Sequence, residues 1–246
     1  AGFGHKQFGE LTYGNMPTIT DEVKQTDLAN TYSLSDGLLD GSARRVAQYV
    51  YNGNYGSNKV KFGAYYGGSS KRSMKNLDLA NKRKNAWGTG LIFNHEIDSI
   101  QNVTVAAGFT REISENANNT SLFRNAYGLG LAYNFVHTTY GVDLERQVTK
   151  NQGDKRTKNE VRAVIRQGLN EDWNVYAMYA YKTDKHSNNT DRTRQFMVGT
   201  EYYVFNQGSL KVKPFLEWQA TRTKYENSAV DRSRDFKTVI GLRAFW

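Results

Sequence analysis

Apolar and polar residues alternate with period two over most of the chain. From Tyr127 to Phe135, the odd positions are Tyr127, Leu129, Leu131, Tyr133 and Phe135, and between them lie Gly128, Gly130, Ala132 and Asn134. The following run sets Tyr140, Val142 and Leu144 against Gly141, Asp143 and Glu145. Further on, Leu210, Val212, Pro214, Leu216 and Trp218 alternate with Lys211, Lys213, Phe215, Glu217 and Gln219. This period belongs to strands whose two faces meet different surroundings. Such runs fall at 6–15, 44–52, 58–67, 86–97, 101–113, 123–136, 138–149, 157–169, 172–184, 191–205, 209–224 and 232–246, which predicts about twelve strands. Many are roughly 10–15 residues long, beyond the 5–6 common in soluble sheets and enough for the roughly 9–11 a tilted strand needs to cross a bilayer. Trp87, Tyr127, Phe135, Trp173, Tyr181 and Trp218 stand near the ends of the apolar faces, as interfacial girdles require.

The segments between strands sharpen the choice. Short turns at 98–100, 137, 170–171 and 206–208 alternate with longer polar stretches at 68–85, 114–122, 150–156, 185–190 and 225–231. A soluble sandwich or a lipocalin-like barrel would also alternate along each strand, but it has no reason to keep its long loops at one end. An outer-membrane barrel does. The expected fold is therefore all-β, a transmembrane antiparallel β-barrel, with residues 1–246 as a single domain.

Composition changes this picture little. Mean hydropathy is −0.71, and no apolar run approaches the roughly 18 residues of a membrane helix. A barrel is exempt from that test, because only every second residue of a strand faces lipid. The 246 residues contain no cysteine, which removes disulfides, zinc thiolates and thiol catalysis. The net charge of +9 is scattered and forms no stripe, so nucleic acid is not indicated. The opening Ala1-Gly2-Phe3-Gly4 is not an initiating sequence, and the chain reads as mature or truncated.

Two segments carry a family resemblance. Phe8-Gly9-Glu10-Leu11-Thr12-Tyr13-Gly14-Asn15, a long polar stretch, and then Arg44-Arg45-Val46-Ala47-Gln48-Tyr49-Val50-Tyr51 resemble general diffusion porins of Gram-negative bacteria, nearest to the Haemophilus and Pasteurella type. There the segment is a strand, the constriction loop and the next strand. The ending Gly241-Leu242-Arg243-Ala244-Phe245-Trp246 is similar to the family's last strand, whose aromatic end, here Phe245 and Trp246, is read by the barrel-assembly machinery. Asn15 departs from the family's usual Arg, and Trp246 from its usual Phe. The resemblance implies about sixteen strands in the whole barrel, roughly the first quarter of it lacking here. It also implies a bacterial outer-membrane location, a homotrimer, and contact with membrane lipid and lipopolysaccharide. In the family alignment Leu11 and Tyr13 face inward and Glu10 outward, where it would need a neighbouring subunit, since a charge facing lipid costs up to a few kcal/mol.

Little in the chain points to catalysis. His5, His95, His137 and His186 have no Ser or Asp at a recognisable spacing, so no catalytic, metal or cofactor residues are expected. The connector 16–43 is what remains. A structureless loop of that length is uncommon unless it works, although a solvated external loop would fit the same residues. It holds Asp21, Glu22, Asp27, Asp36 and Asp40 against Lys24 alone. The resemblance implies that it folds into the lumen as an acidic edge opposite a basic wall. By strand parity that wall would comprise Arg44 with Arg45 beside it, Lys61, Arg162 and Arg166. The expected function is passive diffusion of ions and small hydrophilic solutes. A substrate-specific channel and, further off, a barrel enzyme are the alternatives.

Overall fold

The computed structural model describes every residue except 33–36, 74–76, 116–119, 209 and 227–230, so Asp36 of the acidic set lies outside the described residues. Twelve long strands follow the runs read above: β2 (Gly9–Pro17), β3 (Ser42–Tyr55), β4 (Asn58–Gly67), β6 (Asp78–Asp98), β7 (Gln101–Glu115), β8 (Ser121–Phe135), β9 (Thr138–Asn151), β10 (Asp154–Gly168), β11 (Trp173–His186), β12 (Asn189–Tyr202), β14 (Leu210–Lys224) and β15 (Arg232–Phe245). Three short pieces join them: β1 (Gly2–His5), β5 (Ser70–Arg72) and β13 (Phe205–Gln207). All belong to one antiparallel sheet of 15 strands, in which each long strand pairs with the next long strand in the chain. β1 and β15 lie at its two ends and are not paired with each other. The sheet is a transmembrane β-barrel wall.

Parity decides the two faces. On β8, Leu129 and Leu131 are exposed on the outside, whereas Ala126, Gly130 and Ala132 are buried on the inside. The outer ring chain Trp87–Phe109–Tyr127 has centroid spacings of 5.0 and 5.1 Å. Toward the other ends of the strands, Tyr133 stacks on Phe135 and on Tyr140. These two aromatic levels bracket the apolar band as interfacial girdles do.

Two expectations need correction. The connectors expected at 150–156 and 185–190 are two-residue hairpins, because β9, β10, β11 and β12 run on in register up to Asp154↔Asn151 and His186↔Asn189. Left-handed backbone at Gln152 (φ 45°), Gly153 (φ 88°) and Ser187 (φ 54°) supplies the twist of tight hairpins. The second correction concerns β2. Thr12 pairs with inward Gln48, and Leu11 and Tyr13 pair with outward Tyr49 and Ala47. Leu11 and Tyr13 therefore face out, and Glu10 shares the inward parity of Thr12. The argument that Glu10 needs a neighbouring subunit falls away.

Candidate functional site: a loop bound to the inner wall

The connector after β2 turns inside the sheet. Its first turn, the 3-10 helix Ile19–Val23, buries Ile19, Thr20 and Val23 and leaves Asp21 and Glu22 exposed. The apolar side chains lie on a track of inward glycines. A Cβ on Gly63 would stand 2.8 Å from Ile19 Cβ, one on Gly90 3.0 Å from Ile19 Cγ1, and one on Gly108 2.9 Å from Val23 Cγ2. The track continues through Gly128 under Leu39, Gly130 under the Val23 carbonyl, and Gly141 under the Gln25 carbonyl at 2.6 Å. Glycine at these positions lets the loop approach the wall backbone. Beyond the track, Leu28, Ala29 and Tyr32 pack on a patch of Val164, Tyr176, Met178 and Met197.

Wall carboxylates then bind the loop backbone. Asp143 accepts Gln25 N at 2.8 Å, Thr26 N at 3.1 Å and Thr26 Oγ1 at 2.5 Å. Glu145 accepts the amides of Leu38 and Leu39. Glu217 accepts Asn30 N at 2.6 Å, Thr31 N at 3.0 Å and Tyr32 N at 2.9 Å, while Glu201 accepts Asn30 Nδ2 at 2.8 Å. Near the stem, Gln48 Oε1 accepts Ile19 N at 2.7 Å, and Thr20 Oγ1 donates to the Asp40 carbonyl at 2.7 Å. The loop thus reaches from β4 to β14 across the concave face. Bonds to charged acceptors contribute about 1.5–3 kcal/mol each, and they satisfy amides that an irregular buried segment would otherwise strand.

A family model described as Gram-negative porin matches residues 1–213. This chain belongs to the Gram-negative porin family. A major outer membrane protein of Pasteurella multocida is 25% identical over 248 residues, and the match takes in 99% of this chain and 66% of that protein's length. Among solved structures, the in-vitro folded outer membrane protein OmpT of Vibrio cholerae superposes with a TM-score of 0.68 at 16% identity, covering 98% of this chain and 77% of its own. An anion-selective porin from Comamonas acidovorans gives a TM-score of 0.66 at 15% identity, with 97% and 75% covered. The family places the chain in the bacterial outer membrane.

Within this porin, the charged residues singled out in the sequence are distributed unevenly. Asp21, Glu22 and Asp27 are exposed on the loop's open side. Asp21 pairs with Lys24 at 3.1 Å and Glu22 with Lys61 at 2.6 Å. Asp40 instead faces Arg124 of β8 at 2.9 Å, and Arg124 also meets Glu112 at 3.2 Å.

The expected basic wall does not assemble. Arg162 is 1% exposed beneath the loop, bound to Asp143 at 3.1 Å, Glu145 at 2.9 Å and Glu160 at 3.2 Å. It serves to hold the loop's anchors together and presents no charge to a solute. Arg166 pairs with Glu201, which also receives Lys213 at 2.6 Å. Arg44 and Arg45 sit in an irregularity of the β2–β3 register, with Arg45 at φ 52° and Arg44 donating to the Ser73 carbonyl at 3.2 Å. They line a pocket with Lys71, Arg72 and Lys82 at the long-loop end of the sheet, its outer mouth.

Sequence reading missed Asp143, Glu145, Glu201 and Glu217 as the anchors, and Arg124 as the partner of Asp40. The inward parity of Asp143, Glu145 and Glu217 was visible. What they bind was not, since their partners lie more than a hundred residues away along the chain.

Proposed function

We propose that the chain forms the wall and constriction of a water-filled channel that passes ions and small hydrophilic solutes by passive diffusion. The observation that carries this reading is the loop held against the inner wall by carboxylates, with Asp21, Glu22 and Asp27 turned to the open side. Such a segment narrows the lumen without filling it, and its acids act on solutes at close range. The porin family supports a channel as the protein's role, and the His186–Asp154 pair, at 2.6 Å with both side chains more than half exposed, stands at a hairpin end away from the loop. The barrel assembles as a homotrimer, a reading supported by one structurally similar protein, OmpT of Vibrio cholerae, described in a trimer form. Phe245, the last residue of β15, and Trp246 beside it are the aromatic pair that the assembly machinery reads, and Trp246 is 92% exposed. Single-channel conductance of the intact protein in planar bilayers, with the reversal potential in a salt gradient, tests the proposal. Discrete ohmic steps are expected; a tight bilayer at every protein concentration would refute it.

A further inference from the structure

Between the loop and the short turns, the inner wall of β6 to β9 carries a surface that the constriction does not use. Its inward positions hold one charge, Glu96, and Lys59 of β4 pairs with it. Charge resumes on either side, where Lys61 of β4 meets Glu22 at 2.6 Å and Arg166 of β10 meets Glu201. The stretch between is filled by five neutral polar side chains, Asn94, Asn102, Thr104, Asn134 and Thr139, all half-buried. The register sets them together: Asn94 pairs with Thr104, Asn102 with Asn134, and Asn134 with Thr139.

These side chains bond to one another in a fixed sense. Asn94 Nδ2 donates to Thr104 Oγ1 at 2.8 Å and to Asn102 Oδ1 at 3.3 Å. Asn134 Nδ2 donates to the same Asn102 Oδ1 at 2.8 Å, and Thr139 Oγ1 donates to Asn134 Oδ1 at 2.7 Å. Two donors on the Asn102 carbonyl fix that amide and leave its Nδ2 without a partner among the described residues. Asn94 Oδ1 is also left without one. Amides that turn freely would serve a wall lined with water alone. Here the network decides which group donates and which accepts before a solute arrives.

The loop adds to the same surface. A Cβ on Gly130 would stand 2.8 Å from Gln25 Cγ, so the half-buried Gln25 amide lies one inward step above Ala132. Ala132 is paired with Thr104, and its small side chain leaves room beside that hydroxyl.

The chemistry of the surface selects its ligand. It offers donors and acceptors at set places and no net charge. An ion would exchange its hydration shell for neutral dipoles and gain little. A hydroxyl both donates and accepts, and can bond an amide N–H and an amide carbonyl at once. Several hydroxyls on one ring reach across the about 4.8 Å between neighbouring strands.

We infer that Asn94, Asn102, Thr104, Asn134 and Thr139 form a subsite for uncharged polyhydroxylated solutes, sugars above all, on the periplasmic side of the constriction. The inference gives the proposed channel a preferred solute class and rests on that reading, but binding can be measured without current.

The test compares glucose with glucosamine and glucuronate, which share its ring and add a positive or a negative charge. Saturation-transfer NMR on the intact protein in detergent reads binding, and fluctuations of single-channel current in planar bilayers read occupancy of the lumen. Saturable glucose binding, at least about threefold tighter than that of either charged sugar, is expected. N94L/N102L/N134L keeps the side-chain volume, removes the amides and should weaken glucose binding at least about threefold, with conductance in plain salt close to the parent's. If that variant does not assemble, Thr104→Val should still weaken binding. Asp27→Asn, on the loop's open side, should leave it unchanged. No saturable glucose binding, equal binding of the three sugars, or full binding by the Leu and Val variants each overturns the subsite. An equal loss from Asp27→Asn would move binding to the constriction and overturn it too. Glucose binding that the variants abolish, in a protein that forms no channel, would instead refute the channel proposal and leave the binding site standing.

Discussion

The inner face of β9 and β10 and the outer face of β12, β14 and β15 are both dense in charge, and they differ in how that charge is satisfied. Inside, Arg162, Asp143, Glu145 and Glu160 are nearly inaccessible, and they bind one another and the loop backbone. Outside, the exposed cations Arg192, Arg194, Arg222, Lys224, Arg232 and Arg234 stand in two rows, and among the described residues one of them, Arg232, has an ion pair, with Asp231. Burial explains the contrast. A charge removed from water without a partner costs several kcal/mol, so the inner set must be closed within the protein. An exposed charge is solvated and screened and can wait for a ligand. Counting charges therefore says little about a channel wall; the solvent that each one meets decides whether it builds structure or recognises something.

The largest effect that would break this comparison comes from Arg162→Ala. It leaves Asp143, Glu145 and Glu160 facing one another under the loop and should cost about 3–5 kcal/mol, seen as a lower urea midpoint for the barrel in lipid vesicles. Arg222→Ala on the outer face should move that midpoint by no more than about 0.5 kcal/mol, because it removes a repelling charge from solvent. If both variants were equally stable, the distinction would collapse.

Next in size is Glu217→Ala, which strands the amides of Asn30, Thr31 and Tyr32 and the Tyr176 hydroxyl. The middle of the loop should detach, giving larger and noisier conductance steps, whereas Glu217→Gln keeps one acceptor oxygen and should fall between.

The fold was legible because period two survives every local irregularity: all twelve long strands stand where alternation put them. The hairpins at Gln152–Gly153 and Ser187–Asn188 were obscured because strands that leave the membrane lose the apolar half of their pattern while keeping their backbone pairing. The orientation of β2 was obscured for a related reason. Phe8-Gly9-Glu10-Leu11 reads plausibly either way, and only the pairing of Thr12 with Gln48 settles it. At the site, the glycines at 128, 130 and 141 were visible as inward and small, but their use as a bed for residues 23, 25 and 39 is a tertiary fact. The cation rows of β12, β14 and β15 were missed, since the positive charge is scattered along the sequence and only the strand register brings these residues side by side.

A smaller effect sharpens the role of the loop's open side. D21N/E22Q/D27N removes three exposed acids and should shift the reversal potential toward anions, by a measurable fraction of the about 59 mV that perfect selectivity gives across a tenfold gradient. The shift should shrink as salt rises. The smallest effect belongs to Arg44→Ala with Arg45→Ala. Their place at the outer mouth predicts a weak, salt-sensitive change toward cations, less than that of the acidic triple variant in magnitude.

The absence of cysteine from the chain makes one test of the loop's position direct. A Cβ on Gly63 would stand 2.8 Å from that of Ile19, so with the outer Ile19 methyls removed the loop must lift by about 1 Å to reach the roughly 3.8 Å typical across a disulfide. Oxidation of Ile19→Cys/Gly63→Cys in the intact protein, scored by mass spectrometry after proteolysis, should give the intramolecular bridge in most chains with conductance close to that of the reduced form. Free thiols in a correctly folded barrel, or bridges only between chains, would show that the loop lies outside the lumen.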